Sequence, residues 1–121
     1  FDSILVVQTK LKKGAELIQR NQPCFLSNPK NYRTAIIEYS FGDIYSRDGL
    51  DLKSKEIAVV AALTALGNAQ PQLKVHLNGA LNTGSSVDEL KEIILQMSVY
   101  AGFPSAINGM NALKEVLDEG K

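Results

Sequence analysis

Few side chains in this sequence could carry acid–base, nucleophilic or metal chemistry. Among its 121 residues there is one histidine, His76, and one cysteine, Cys24. A histidine exchanges protons near neutral pH, so His76 is a candidate proton donor or a partner for a developing oxyanion. A single cysteine leaves no intramolecular disulfide and no Cys-x-x-Cys redox pair within these residues. One histidine without a cysteine near it also offers no ligand cluster for a metal.

His76 lies in the second of two apolar helical runs that a short polar break separates. The first run predicts a helix that is capped by Asp51 or Ser54, ends at Gly67 and is apolar on nearly all sides. One apolar stripe consists of Ile57, Ala58, Ala61, Ala62 and Ala65, and Val59, Val60 and Leu63 cover much of the rest. Such a helix is expected at the centre of the protein or in a subunit interface. The second helix begins at Pro71, and its apolar residues recur at spacings of three and four. They are Leu73, Leu77, Ala80 and Leu81, so we expect His76 to point inward with them.

The rest of the sequence also favours helices. Before the two runs, the pattern predicts a helix from Ser3 to Gly14 and then a loop at residues 21–29, which contains Cys24. A second helix follows and ends near Gly42, and residues 43–51 form a connector. After them, Ser86 and Glu89 form a capping-box pattern, and the helix that follows ends at Gly102. Pro104 begins the last helix, with a predicted stripe of Ala106, Ile107, Met110, Leu113 and Leu117. No stretch alternates apolar and polar residues as a strand would, so we predict an all-α, single-domain bundle of about six helices over residues 1–121.

Composition limits the partners of the protein. Lysine plus arginine and aspartate plus glutamate each number 13, so the net charge is zero and a nucleic-acid partner is not expected. The uncharged run at residues 57–72 contains Gly67 and Pro71 and falls short of a membrane span. We therefore expect a protein that does not bind membranes, in the reducing cytoplasm.

Two long segments resemble the carboxymuconolactone decarboxylase family. They are EYSFGDIYSRDGLDLKSKEIAVVAALTALG from Glu38 and LKVHLNGALNTGSSVDELKEIILQMSVYAGFPSAIN from Leu73, and together they extend the resemblance over almost the whole chain. Its specific pieces are Phe41-Gly42, Gly49-Leu50, the His76 helix with its following turn, and Tyr100-Ala101-Gly102 before Pro104. The resemblance implies an alkylhydroperoxidase D-like helical subunit that assembles into a homo-oligomeric ring, a trimer or hexamer.

The resemblance also implies a type of chemistry. The thiol-peroxidase branch of the family carries a Cys-x-x-Cys pair shortly before the histidine, whereas residues 67–73 of this chain contain no cysteine. The decarboxylase branch implies a lyase without a cofactor, acting on a small carboxylated lactone such as 4-carboxymuconolactone or on a related enolisable acid. In that interpretation His76 and Glu56 are catalytic. The residues that would bind the substrate are Tyr45, Arg47, Lys55 and Tyr100.

The sequence departs from the decarboxylase pattern at several polar positions. Lys55 stands where the family carries arginine, and Asn111 stands where it often carries histidine. Neutral residues, Ala69, Gln70 and Gln72, stand where the family carries acidic ones. A lysine keeps the positive charge but not the two-pronged grip of arginine on a carboxylate.

Each candidate also has a purely structural interpretation. His76 could be a hydrogen-bonded core residue, and Glu56 could serve only the helix dipole. Tyr45 and Tyr100 could be core tyrosines, and Arg47 could form an exposed ion pair with Asp48. The protein would then be an oligomer that binds a small ligand without chemistry. A third hypothesis is peroxidase activity through Cys24 and an external thiol.

Overall fold

The computed structural model describes residues 34–120 of the chain. The chain divides into two compact units, Phe1–Leu50 and Asp51–Lys121. The described part is entirely helical and contains no strand, which confirms the predicted all-α class. The predicted helix at residues 3–14 and the loop with Cys24 lie outside the described residues. A single domain over residues 1–121 stays a prediction.

Five helical elements are present in the described part. They are a π-helical segment Ile36–Ile44 and four α-helices: α1 Leu52–Leu66, α2 Gln70–Asn82, α3 Val87–Ala101 and α4 Phe103–Glu119. Within residues 34–120, no helix combines the length and apolar character that crossing a bilayer demands.

The π-helical segment corrects one predicted boundary. We predicted that this helix ends near Gly42, but it continues to Ile44 and closes with a hydrogen bond of 2.8 Å from the Tyr45 amide to the Ser40 carbonyl. Gly42 is buried and is not among the glycines with positive φ, so it continues the helix instead of ending it.

The ends of the α-helices agree with the capping signals in the sequence. The Asp51 side chain accepts a hydrogen bond of 2.9 Å from the Ser54 amide, so Asp51 is the cap of α1. Ser86 accepts one of 3.0 Å from the Glu89 amide at the start of α3. Gly67, with φ of 74°, ends α1 in the left-handed conformation that suits glycine.

The four α-helices of the Asp51–Lys121 unit pack around one apolar core. α1 contacts each of the other three helices, and α3 and α4 form a hairpin that turns at Gly102. The largest enclosed apolar side chains are Leu73, Leu77, Leu90, Ile94 and Leu113. Ile107, which we predicted in the buried stripe of α4, is 57% exposed, because Ala106, Gly109 and Leu113 take the face toward the core.

α1 buries a face that the apolar pattern of the helix does not single out. Its buried residues are Glu56, Val60 and Thr64, whereas Ala58, Ala62 and Ala65 of the apolar stripe are exposed. A helix that is apolar on nearly all sides has no preferred face in its pattern, so periodicity could not select one. Close approach to glycines on neighbouring helices selected the Glu56–Thr64 face: Gly79 lies against Glu56, and Gly109 lies against Thr64.

Candidate active site

Glu56 and His76 form a polar pair between α1 and α2. His76 Nδ1 and Glu56 Oε2 are 2.9 Å apart, and the two side chains are 19% and 7% exposed. Glu56 comes from the second turn of α1, and His76 comes from the middle of α2. The structure therefore brings together the two residues that we predicted to be catalytic.

The fold explains why these two side chains meet. Gly67 and a short break reverse the chain between α1 and α2, so the two helices lie side by side. His76 lies beside Leu73, Leu77 and Ala80, which are fully buried and hold α2 against the core. As predicted from the spacing, His76 is directed toward the protein interior, although its ring is only partly enclosed.

The pair can orient a proton-transferring ring. An ionised carboxylate only accepts hydrogen bonds, so with Glu56 ionised the shared proton lies on His76 Nδ1. A carboxylate that holds Nδ1–H fixes both the tautomer and the plane of the imidazole. Proton exchange with a substrate would then take place at Nε2.

The other predicted residues of this unit do not converge on the pair within one subunit. Lys55 is half-buried and makes contacts of its own. Because it directly precedes Glu56, its side chain leaves α1 in a direction about 100° around the helix axis from that of Glu56. Tyr100 is 77% exposed in the last turn of α3. The following helix places Ser105 against Gly67, and Gly67 is about 16 Å from Glu56 along the axis of α1.

Tyr45 and Arg47 belong to the Phe1–Leu50 unit. Tyr45 is half-buried beside Phe41, with 5.6 Å between the ring centroids, while Arg47 is exposed. Both residues make further interactions, so neither is a free group awaiting a ligand. Their roles as substrate-binding residues remain predictions.

Two residues with unusual surroundings, Glu38 and Gly79, were not among the predicted site residues. Glu38 is buried in the π-helical segment, and burial together with the nearby Asp43 carboxylate raises the pKa of Glu38. Gly79 lies one helical turn after His76 and provides the space beside the Glu56 carboxyl group. The three-residue spacing of His76 and Gly79 was the available signal, because it places both on one face of α2.

The Glu56–His76 pair belongs neither to a metal-binding cluster of the described residues nor to the groove between α3 and α4. Among residues 34–120, no three histidine, cysteine, aspartate or glutamate side chains are grouped so as to hold a metal ion. A groove of about 450 Å³ lies between α3 and α4 and is lined by Lys91, Met110, Leu113, Lys114, Leu117 and Asp118. We place the candidate site at Glu56 and His76 because His76 Nδ1 and Glu56 Oε2 are in hydrogen-bonding contact at 2.9 Å.

Comparison with known proteins gives a family and several relatives. The model of the carboxymuconolactone decarboxylase family matches residues 31–115. A 4-carboxymuconolactone decarboxylase of Acinetobacter baylyi is 34% identical over 90 residues, which are 74% of this chain and 66% of the relative. A nitrosuccinic acid decarboxylase of Metarhizium robertsii is 30% identical over 90 residues, 71% of this chain and 62% of the relative. An uncharacterized 15.0 kDa protein of Paracoccus denitrificans is 33% identical over 85 residues, 69% of this chain and 63% of the relative. The chain thus spans slightly less than two thirds of each of these relatives.

Proposed function

Because the chain belongs to the carboxymuconolactone decarboxylase family, we propose that it is a cofactor-free decarboxylase. Its substrate is a small carboxylated lactone, such as 4-carboxymuconolactone, or a related enolisable acid. The observation that carries the proposal is the contact of 2.9 Å between the buried Glu56 and the partly buried His76. The names of two relatives, which are decarboxylases of a lactone acid and of a nitro acid, support the reaction type.

The two named substrates share one chemical feature. When the bond to the carboxyl carbon breaks, CO₂ leaves and the electron pair of that bond stays on the remaining carbon. A conjugated lactone carbonyl or a nitro group then takes the electrons onto oxygen. The anion is completed to product when a proton returns to carbon, so the protein needs an acid and a stabilised oxyanion.

The pair can supply the acid. In the proposed mechanism His76 delivers the proton, and Glu56 holds the ring and stabilises its charged form. Lys55, Arg47, Tyr45 and Tyr100 are proposed to bind carboxylates of the substrate, since each is a hydrogen-bond donor at neutral pH.

We also propose that the protein works as a homo-oligomer, a trimer or hexamer. The α3–α4 hairpin carries an exposed apolar surface, here called the hairpin surface, formed by Leu95, Val99, Tyr100, Phe103 and Ile107. These residues lie on two helices joined at Gly102, and each is more than half exposed. Exposed groups of large apolar side chains are typical of surfaces that contact another protein. Residues 93–113 contain no charge, so copies of this surface could meet without like-charge repulsion.

Assembly would give Tyr100 a way to reach a substrate. Tyr100 is in the last turn of α3, and it is 77% exposed as part of the hairpin surface. In the proposed oligomer it would bind a carboxylate in the site of a neighbouring subunit.

The single cysteine in the chain is in keeping with the proposed cytoplasmic location.

The direct test is a decarboxylation assay of the parent and of His76→Ala with 4-carboxymuconolactone and nitrosuccinic acid. The parent should release CO₂ from at least one of them, and His76→Ala should be slower by about 100-fold or more. Asn78→Ala, an exposed position on the same helix, is the control and should retain the parental rate. A His76→Ala protein as fast as the parent would remove His76 from the mechanism.

Two other functions make different predictions. A non-catalytic oligomer would bind one of these acids without consuming it, which equilibrium binding and CO₂ release distinguish. Peroxidase activity through Cys24, which lies outside the described residues, would appear as peroxide consumption that Cys24→Ser abolishes.

A further inference from the structure

We propose that Gly79 is a positioning residue of the Glu56–His76 pair, an inference that rests on the proposed function. Its missing side chain leaves the space in which the Glu56 carboxyl group lies when it holds His76. The glycine thereby determines where the carboxylate can be, and through it the orientation of the imidazole.

The distances at Gly79 all point to the Glu56 carboxyl group. A Cβ atom at position 79 would lie 2.8 Å from Glu56 Oε2, 2.9 Å from its carboxyl carbon and 3.0 Å from Oε1. These separations are shorter than van der Waals contact between a carbon atom and its neighbours. The nearest atom, Oε2, is also the one that contacts His76 Nδ1 at 2.9 Å. An added methyl group would therefore overlap the oxygen that holds the ring.

Helix geometry does not require glycine at this position. Gly79 is not among the positive-φ glycines, and it lies inside the regular helix α2. Alanine is the better helix former, so the backbone alone would favour it here. Space for the neighbouring carboxyl group is the remaining reason for a glycine.

The backbone at Gly79 cannot easily withdraw to make room. Its carbonyl accepts hydrogen bonds from the Thr83 amide at 3.0 Å and the Thr83 hydroxyl at 2.9 Å. The next residue, Ala80, is fully buried in the core. The Glu56 carboxyl group is the end of a flexible side chain, so in Gly79→Ala it would move and leave His76 Nδ1.

Gly109 provides a matched control. A Cβ atom there would lie 2.9 Å from Thr64 Cγ2 and 3.1 Å from Ile94 Cγ2, so the fit is as tight as at Gly79. Its neighbours are branched side chains of the core with little freedom to move, and neither belongs to the pair. Gly109→Ala should consequently lower the melting temperature without altering the geometry at His76.

The only histidine of the chain makes the test specific. In ¹⁵N-labelled protein without a histidine tag, the two ring nitrogens of His76 report which of them carries the proton. The parent should show the Nδ1–H form when the ring is neutral. Gly79→Ala and Glu56→Ala should both shift the ring signals of His76 away from those of the parent and in the same direction, while Gly109→Ala should match the parent. Parental signals in Gly79→Ala would overturn the proposal.

A double substitution keeps the test decisive if Gly79→Ala folds poorly. With Glu56→Ala the overlapping carboxyl group is gone, so adding Gly79→Ala should not lower the melting temperature or change the His76 signals further. A large loss of stability on that background would show that Gly79 makes room for something else, and the proposal would be wrong.

The kinetic measurement separates this inference from the proposed function. If the protein decarboxylates either acid, Gly79→Ala should lower kcat by a factor close to that of Glu56→Ala, with KM little changed. A Gly79→Ala protein with parental kcat would contradict the proposal. If the parent consumes neither acid, the proposed function fails, and the His76 signals alone still decide the role of Gly79.

Discussion

Between α1 and α2, two polar side chains are enclosed and paired, whereas on the α3–α4 hairpin large apolar side chains face solvent. Glu56 and His76 are 7% and 19% exposed, while Val99, Tyr100 and Phe103 are each at least 70% exposed. Both arrangements invert the usual preference for apolar residues inside and polar residues outside. Such inversions cost free energy unless something compensates, so they indicate where a protein acts on a ligand or on another protein.

The compensation differs between the two regions. At Glu56 and His76 each side chain provides the partner of the other, and Gly79 provides the space, so the compensation is complete within one chain. On the hairpin surface, burial would come from outside the subunit. Substitutions that change one region and leave the other intact should therefore separate the contribution of each region to activity and assembly.

The largest effect is expected for Glu56→Gln. This change keeps the shape of the side chain but removes the charge that stabilises a protonated His76, so kcat should fall by about 100-fold. Assembly, followed by sedimentation, should be unchanged because the hairpin surface is not altered. A variant that lost activity only through dissociation would show that the two regions are not independent.

A charge on the hairpin surface should have the next largest effect. Phe103→Asp places a carboxylate where an apolar side chain is proposed to be buried between subunits, so the dissociation constant of the oligomer should rise by about 10-fold or more. Gln72→Asp, which adds the same charge at an exposed position of α2, is the control. Unchanged sedimentation of Phe103→Asp would remove the hairpin surface from the proposed interface.

Removing one hydroxyl tests whether the two regions meet in the oligomer. If Tyr100 binds a substrate carboxylate in a neighbouring subunit, Tyr100→Phe should raise KM by about 5-fold, the equivalent of one hydrogen bond. Assembly should persist because the ring remains. Tyr39→Phe, at another exposed tyrosine, should leave KM unchanged; an equal rise in both variants would argue against a specific contact.

The smallest effect is expected on folding stability, from replacing the buried carboxyl group of Glu38. Glu38 Oε2 has no hydrogen-bond partner, and burial and Asp43 raise the pKa of Glu38. The folded state therefore binds the proton of the Glu38 carboxyl group more tightly than the unfolded state does. The contribution of the protonated carboxyl group to folding stability is fully present at low pH and is lost as pH rises through the raised pKa. Glu38→Gln should gain stability over the parent at pH 8, by about 1 kcal/mol, and should gain less at pH 4. Denaturant unfolding at both pH values measures the difference in stability between Glu38→Gln and the parent. A difference that is as large at pH 4 as at pH 8 would contradict the prediction.

Within residues 34–120, the sequence was sufficient for the helices and for most of their ends. Asp51, Gly67, Ser86 and Gly102 mark helix ends because capping and left-handed turns depend on local side chains. The strongly periodic face of α2 placed His76 toward the core, because three and four residues bring side chains to one side of a helix.

The sequence was not sufficient for the buried face of α1 or for the grouping of the site. Apolar residues surround that helix, so a pattern of hydrophobicity contains no information about its orientation. The uncharged stretch at residues 93–113 was a visible signal of an unusual surface, but its exposure depends on which sides of α3 and α4 face the core.

By itself, then, the sequence determined the helices, their caps, the family resemblance and a single histidine on a helical face. Tertiary structure decided that Glu56, Val60 and Thr64 form the buried side of α1 and that the Glu56 carboxyl group lies beside Gly79, in reach of His76. The physical reason is the range of the interactions. Caps and periodicity act within about one helical turn, whereas a pair between residues 20 positions apart depends on how two helices pack.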